Sequence, residues 1–157
     1  MPTNKYFFIP ILTCLNVYFT LAQKSTIYLD SIVGTVYEIR NDMHGYVDNI
    51  EVFPVNDIIY PKDIHYPETR MIYGFEGIFP NDSFAIIFTG NIITEEEGLF
   101  ELSLTSDDGT RLWINGEEVI NNDGSHPMRK KSDTLFLEKT KTPFRLWYYQ
   151  DNMDRMG

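Results

Sequence analysis

One cysteine in 157 residues, Cys14, leaves nothing to pair with, so the fold is not a disulfide scaffold and a Cys-based zinc cluster is excluded. The three histidines, His44, His65 and His126, stand far apart with no metal-ligand spacing, and each reads as an ordinary loop residue. There is no Gly-rich phosphate loop following a strand and no nucleophile elbow, so the sequence offers no catalytic machinery and reads as non-enzymatic. Basic residues are scarce too. Thirteen Lys and Arg against 23 Asp and Glu give a net charge of −10, which argues against nucleic acid or an anionic membrane as partner and permits cation binding. Long hydrophobic runs are missing as well. The nearest candidate, at the N-terminus, is interrupted by Pro10, Thr13, Asn16 and Thr20, short of the ~20 predominantly apolar residues of a spanning helix.

That N-terminal stretch, "MPTNKYFFIPILTCLNVYFTLA", has Lys5 near its start, an apolar middle, no acidic residue, and small side chains at Thr20 and Ala22. It reads as a secretory signal peptide over residues 1–22, which places the protein outside the cell, in a periplasm or on a cell surface. Ile11, Leu12 and Thr13 before Cys14 fit a lipid-attachment signal poorly. Cleavage after Ala22 leaves a chain from Gln23 with no cysteine, a core held by packing alone, and 12 basic against 23 acidic residues, a net charge of −11.

What remains is patterned with a period of two. Phe100, Leu102 and Leu104 alternate with Glu101, Ser103 and Thr105, and Phe144, Leu146 and Tyr148 alternate with Arg145, Trp147 and Tyr149. Strand-like runs occur at "SIVGTVYEI", "FAIIFTG", "GLFELSLTS", "TRLWI", "EEVI", "DTLFLE" and "PFRLWYYQ", separated by turn residues. "WINGEEVI" is the sharpest local signal, because Asn115-Gly116 between two short runs suits a type I′ hairpin. Many strands with short connections predict an all-β, antiparallel sandwich or barrel, one domain over residues 23–157. The stretch Asn41–Arg70, weakly patterned and carrying three prolines, is expected to be irregular and wrapped on the sheet.

Asp107 and Asp108 are the chemical anomaly, two adjacent carboxylates at a strand end in "LTSDDGTRLWINGEEV". With trans peptides, neighbouring strand side chains point to opposite faces, so the pair converges on one point only if the peptide between them is cis. Two readings stay open. In one, a hard cation such as calcium bridges both carboxylates and draws further oxygens from the nearby "VINNDGSH" segment, where Asn121, Asn122 and Asp123 carry them and Gly124 permits a turn. In the other, the aspartates close a tight turn by accepting hydrogen bonds from backbone amides.

The stretch "FAIIFTGNIITEEEGLFELSLTSDDGTRLWINGEEVINNDGSH", with its S-D-D-G-x-x-L-x-I-x-G core, resembles the central segment of the PA14 domain family, and "TPFRLWYYQ" resembles that family's following strand. The likeness covers roughly Ser83–Gln150. It implies a β-sandwich or barrel module of exported glycosidases, adhesins and toxins, often concerned with carbohydrate. In sugar-binding members the consecutive aspartates carry a cis peptide and hold a calcium ion that binds sugar hydroxyls. Asp107 and Asp108 match those positions, and the family's site residues carry over no further; Asn121 and Asp123 are the additional metal ligands that the local reading supplies, and Trp113, Tyr148 and Tyr149 are aromatics that either stack on a sugar face or pack in the sheet. The chain departs from the pattern in three places. Asn115 stands where an aspartate is common, and Asn122-Asp123 where many members have tryptophan. The family pattern also runs on past Gly157, so the domain is expected to be C-terminally incomplete, with further domains in a longer parent protein. The expected function is calcium-dependent binding of a glycan or cell-wall polysaccharide; the alternative is a structural or protein-interaction module in which the Asp-Asp-Gly motif only fixes a turn.

Overall fold

The computed structural model describes residues 13–20, 27–39, 45–67 and 83–151. Ten strands follow in chain order: β1 (Thr13–Thr20), β2 (Ile27–Glu38), β3 (Val55–Ile59), β4 (His65–Pro67), β5 (Phe84–Thr94), β6 (Gly98–Ser106), β7 (Thr110–Ile114), β8 (Glu117–Asn122), β9 (Arg129–Leu137) and β10 (Lys141–Gln150). They form two antiparallel sheets, one of order β4-β1-β6-β9 and one of order β3-β2-β5-β10-β7-β8. The expected all-β architecture is what the chain adopts.

Period-two patterning does the sorting. On β6 the inward residues Phe100, Leu102 and Leu104 meet Phe144, Leu146 and Tyr148 of β10 and Phe84, Ile86 and Phe88 of β5 in one buried core between the sheets. The opposite face of the six-stranded sheet is also covered. Ala85, Ile87, Trp147 and Tyr149 form a second apolar layer with Tyr37, Ile39 and Ile50, and Tyr46, Val47 and Phe53 pack against it. Strands β5 and β10 are therefore buried on both faces, which explains their nearly continuous apolar runs.

The Asn115-Gly116 hairpin has positive φ at both residues (52° and 84°), as a type I′ turn requires. The stretch expected to be irregular does lie over the sheet in its described part, yet it also contributes the short strands β3 and β4 and a 3-10 turn at Ile50–Val52. Ile50 and Ile64 anchor it in the two apolar layers.

Strand β1 falls inside the segment read as a signal peptide. Its residues Leu15–Thr20 pair with Ser106–Glu101 of β6, and its other edge pairs with β4. Residues 1–12 and 21–22 of that segment lie outside the described part.

Candidate functional site

Two connections cross between the sheets side by side at one end of the sandwich. Asp107-Asp108-Gly109 joins β6 to β7, and the loop 123–128 joins β8 to β9. Their flanking residues are laced together. The Ser106 and Thr110 hydroxyls lie 3.0 Å apart, and Asn122 Nδ2 donates to Ser106 Oγ (3.0 Å) and to the Arg129 carbonyl (3.2 Å), with Ser106, Thr110 and Asn122 all buried. Arg129 returns the bond through Nε to Asn122 Oδ1 (2.7 Å) and through Nη2 to the Asp123 carbonyl (2.9 Å). A buried polar group without a partner is costly, so this interlocked set fixes how the two crossings sit.

The peptide between Asp107 and Asp108 is cis. Asp108 is buried, and both of its carboxylate oxygens are occupied by protein donors. Oδ1 accepts from Ser125 Oγ (3.1 Å) and the His126 amide (2.9 Å); Oδ2 accepts from Gln150 Nε2 (3.1 Å) and the Asp151 amide (2.9 Å). A carboxylate offers about four lone-pair sites, and Asp108 uses that number on the crossing loop and the end of β10. Asp107 is half-buried, and its carbonyl accepts from the Tyr148 hydroxyl at 2.8 Å.

Asp123 is engaged in the same way. Oδ1 accepts from the amides of Tyr46 (2.9 Å) and Gly124 (2.7 Å), and Oδ2 from Arg111 Nε (3.2 Å) and Nη2 (2.8 Å). Arg111 also reaches Glu118 Oε2 at 3.2 Å and stacks over the Tyr46 ring, 4.3 Å from its centroid. Asn121 is exposed; its Oδ1 accepts from the Asp123 amide (3.2 Å) and its Nδ2 donates to Glu118 (3.1 Å).

As a calcium cage, Asp107, Asp108, Asn121 and Asp123 do not fit this arrangement. Calcium takes six to eight oxygens, whereas both oxygens of Asp108 and both of Asp123 are already filled by N–H and O–H donors. Among the described residues no three His, Cys, Asp or Glu side chains group as a metal site.

Nor do the expected stacking aromatics present a ring face beside the aspartates; Tyr148 meets the Asp107 carbonyl through its hydroxyl. Thr110 lies beside them, but Trp113 sits three residues further along β7, roughly 10 Å away at 3.3–3.4 Å per residue, on the outer face. There it is half-buried against Tyr46, ring centroids 5.4 Å apart, with the Arg145 guanidinium 4.8 Å from its centroid. Tyr148 and Tyr149 are fully buried and present no ring to a ligand. The residues that sequence reasoning missed are Ser125, His126, Gln150 and Arg111, which hold the two carboxylates. Ser125 and His126 lie in the segment that the sequence already sets beside the aspartates, whereas contact across the fold is what identifies Gln150, 42 residues from Asp108.

Close approach also explains Gly109. A Cβ there would stand 2.9 Å from the Gly124 amide nitrogen and 3.1 Å from its carbonyl oxygen, both backbone atoms of the other crossing. Gly109→Ala is expected to cost about 1–3 kcal/mol in a urea titration. Gly98→Ala, whose Cβ would meet only Phe100 at 3.9 Å, is expected to be nearly silent in the same assay. Equal losses from the two variants would contradict the tight crossing.

Burial pushes the Tyr149 phenol up, reinforced by Asp151, to which it hydrogen-bonds, and by the Asp108 and Asp123 charges. Burial, then Asp63, pushes Tyr66 up to about 12. Both phenols are held neutral in the fold, so their contribution is complete below the ordinary tyrosine value of 10.0 and disappears as pH rises above it. Thermal melts across that alkaline range are expected to fall more steeply for the native chain than for Tyr149→Phe. Parallel curves would remove Tyr149 from the explanation.

The PA14 domain model matches residues 70–156, more than half of the chain. No curated protein matches in sequence. Among solved structures, the PA14 domain of the MpAFP antifreeze protein superposes with a TM-score of 0.66 at 15% identity, covering 85% of this chain and 81% of that one. A PA14 sugar-binding domain from an RTX adhesin gives 0.64 at 14% identity, over 78% and 83%. A β-glucosidase from Kluyveromyces marxianus in complex with glucose gives 0.53 at 16% identity, over 75% of this chain but only 14% of the enzyme. At these identities the structural likeness speaks for the fold.

Proposed function

We propose that this chain, which belongs to the PA14 domain family, is a non-catalytic module that binds carbohydrate on an exported or cell-surface protein. The supporting observation is the S-D-D-G core, placed at a rim of the sandwich where two crossings and the end of β10 meet. The family match, with a sugar-binding adhesin domain of the same fold over 78% of this chain, makes carbohydrate the ligand class to test. Among the described residues no helix is long and apolar enough to cross a membrane.

Sugar hydroxyls are recognised by hydrogen-bonding groups at a rim, and the half-buried Asp107 and the exposed Ser125, both next to Asp108, are polar groups there. The calcium-dependent form of this reading puts the cation on Asp107 and Asp108. The four donors on Asp108 favour a second reading of that residue, a structural junction.

The test is retention of the chain on immobilised neutral glycans, glucans first. Asp107→Ala keeps the backbone carbonyl that Tyr148 bonds, and is expected to weaken retention about tenfold, ~1.4 kcal/mol, without unfolding the chain. A folded native chain that no neutral glycan retains, or an Asp107→Ala variant retained equally well, would leave the structural or protein-interaction module as the function.

A further inference from the structure

We propose that the junction built on Asp108 and Asp123 is cation-independent: neutral protein donors fill Asp108 and the Arg111 guanidinium answers Asp123, in place of the oxygens a metal would otherwise draw together. The proposal rests on the sugar-binding reading only for its site, and concerns how that site keeps its shape.

Asp108 and Asp123, one in each crossing, are hydrogen-bonded from different directions. Asp108 is met by two backbone amides, a hydroxyl and an amide side chain, from the crossing loop on one side and the end of β10 on the other. Asp123 is met by two backbone amides and by a forked approach from Arg111, whose Nε and Nη2 both reach Oδ2. A guanidinium is a permanent cation with fixed donor directions, suited to a carboxylate in a partly buried place. Arg111 is itself pinned, by Glu118 at 3.2 Å and by the Tyr46 ring beneath it. Arg129 adds a second guanidinium on Asn122 Oδ1 and the Asp123 carbonyl, so that the oxygens of the loop 122–123 are turned towards protein nitrogen. For calcium to enter, these bonds must break first. The cation must therefore overcome the loss of donors from the crossing loop, from β10 and from Arg111 before it gains its own oxygens.

The experiment uses the full chain of 157 residues and three probes: calcium chloride alone, EDTA, and glucose. After chelator treatment, calorimetric titration with calcium is expected to show no saturable heat in the micromolar range. The melting temperature is expected to differ by less than about 1 °C between millimolar calcium and EDTA. Arg111→Met strips Asp123 of its cation. That variant is expected to melt lower and, unlike the native chain, to regain several degrees in millimolar calcium; Arg111→Lys, which keeps the charge but loses the fork, is expected to fall between. A native chain stabilised by several degrees in calcium, or an Arg111→Met variant as indifferent to calcium as the native chain, overturns the proposal. Glucose separates the two ideas. Binding that is equal in calcium and in EDTA supports a cation-independent site, and binding seen only with calcium overturns it while leaving the sugar-binding reading intact. If glucose binds in neither buffer, that reading loses support, and the calcium melts still decide the present proposal.

Discussion

Asp108→Ala is expected to destabilise the chain by about 3–4 kcal/mol, and to do so equally with calcium or with chelator. The substitution leaves the His126 and Asp151 amides, the Ser125 hydroxyl and the Gln150 amide without their acceptor, the Asp151 bond buried and the other three partly buried. Each stranded buried donor costs about 1–3 kcal/mol before relaxation, and relaxation of the two side-chain donors towards water reduces the total. Asp108→Asn keeps the shape, but its NH2 must face one of the two donor pairs, so about half of the loss is expected to remain. Asp107→Ala keeps the backbone carbonyl that Tyr148 bonds and removes a half-buried rather than a buried carboxylate, so it is expected to cost less than Asp108→Ala, about 1–2 kcal/mol. The contrast discriminates between roles. In a calcium cage studied in chelator, removing one of two adjacent repelling carboxylates is neutral or favourable; in a hydrogen-bonded junction it is costly in any buffer. Urea titrations of the three variants in EDTA decide it, and an Asp108→Ala loss no larger than that of Asp107→Ala would sink the junction role.

The strands legible in the sequence were those whose two faces differ, or whose turn is chemically specified. Gly98–Ser106 and Thr110–Ile114 are strands over the very residues that alternation marks, and Asn115-Gly116 supplies the turn that follows. Strand β9 begins at Arg129, earlier than "DTLFLE" suggests, because its first half is polar and gains its place from pairing with β6 rather than from burial. Strands β3 and β4 are short, and β3 is largely exposed, so neither leaves a two-residue pattern in a stretch rich in proline. The paired aspartates announced themselves as chemistry. What they bond to did not, because Asp108 draws its donors from 17, 18, 42 and 43 residues away, and no local spacing encodes such partners. Trp113 shows the opposite error. An aromatic near a motif in sequence was placed by the alternation of its own strand on the outer face, where Tyr46 and Arg145 meet its ring.

A chain lacking residues 1–22 is expected to melt well below the full chain and to self-associate. The reason lies in the order of the smaller sheet, β4-β1-β6-β9. Strand β4 pairs with β1, and β1 is also the neighbour of β6 over Leu15–Thr20, so removing β1 detaches β4 and leaves β6 paired with β9 alone. A two-stranded sheet is marginal by itself, and this one must still cover the apolar face of its partner with Phe100, Leu102 and Leu104. The vacated edge of β6, Glu101–Ser106, would then carry unpaired backbone groups beside that core, the arrangement that recruits a strand from another chain. Cleavage of a leader after Ala22 and a stable sandwich are compatible only if another strand, from the parent chain or a second copy, enters the place that β1 holds. Thermal melts and size-exclusion chromatography of residues 23–157 beside residues 1–157 test this, with N-terminal sequencing of exported material to show which form the cell makes. A monomeric 23–157 chain with an unchanged melting temperature would show that β1 contributes nothing to the fold.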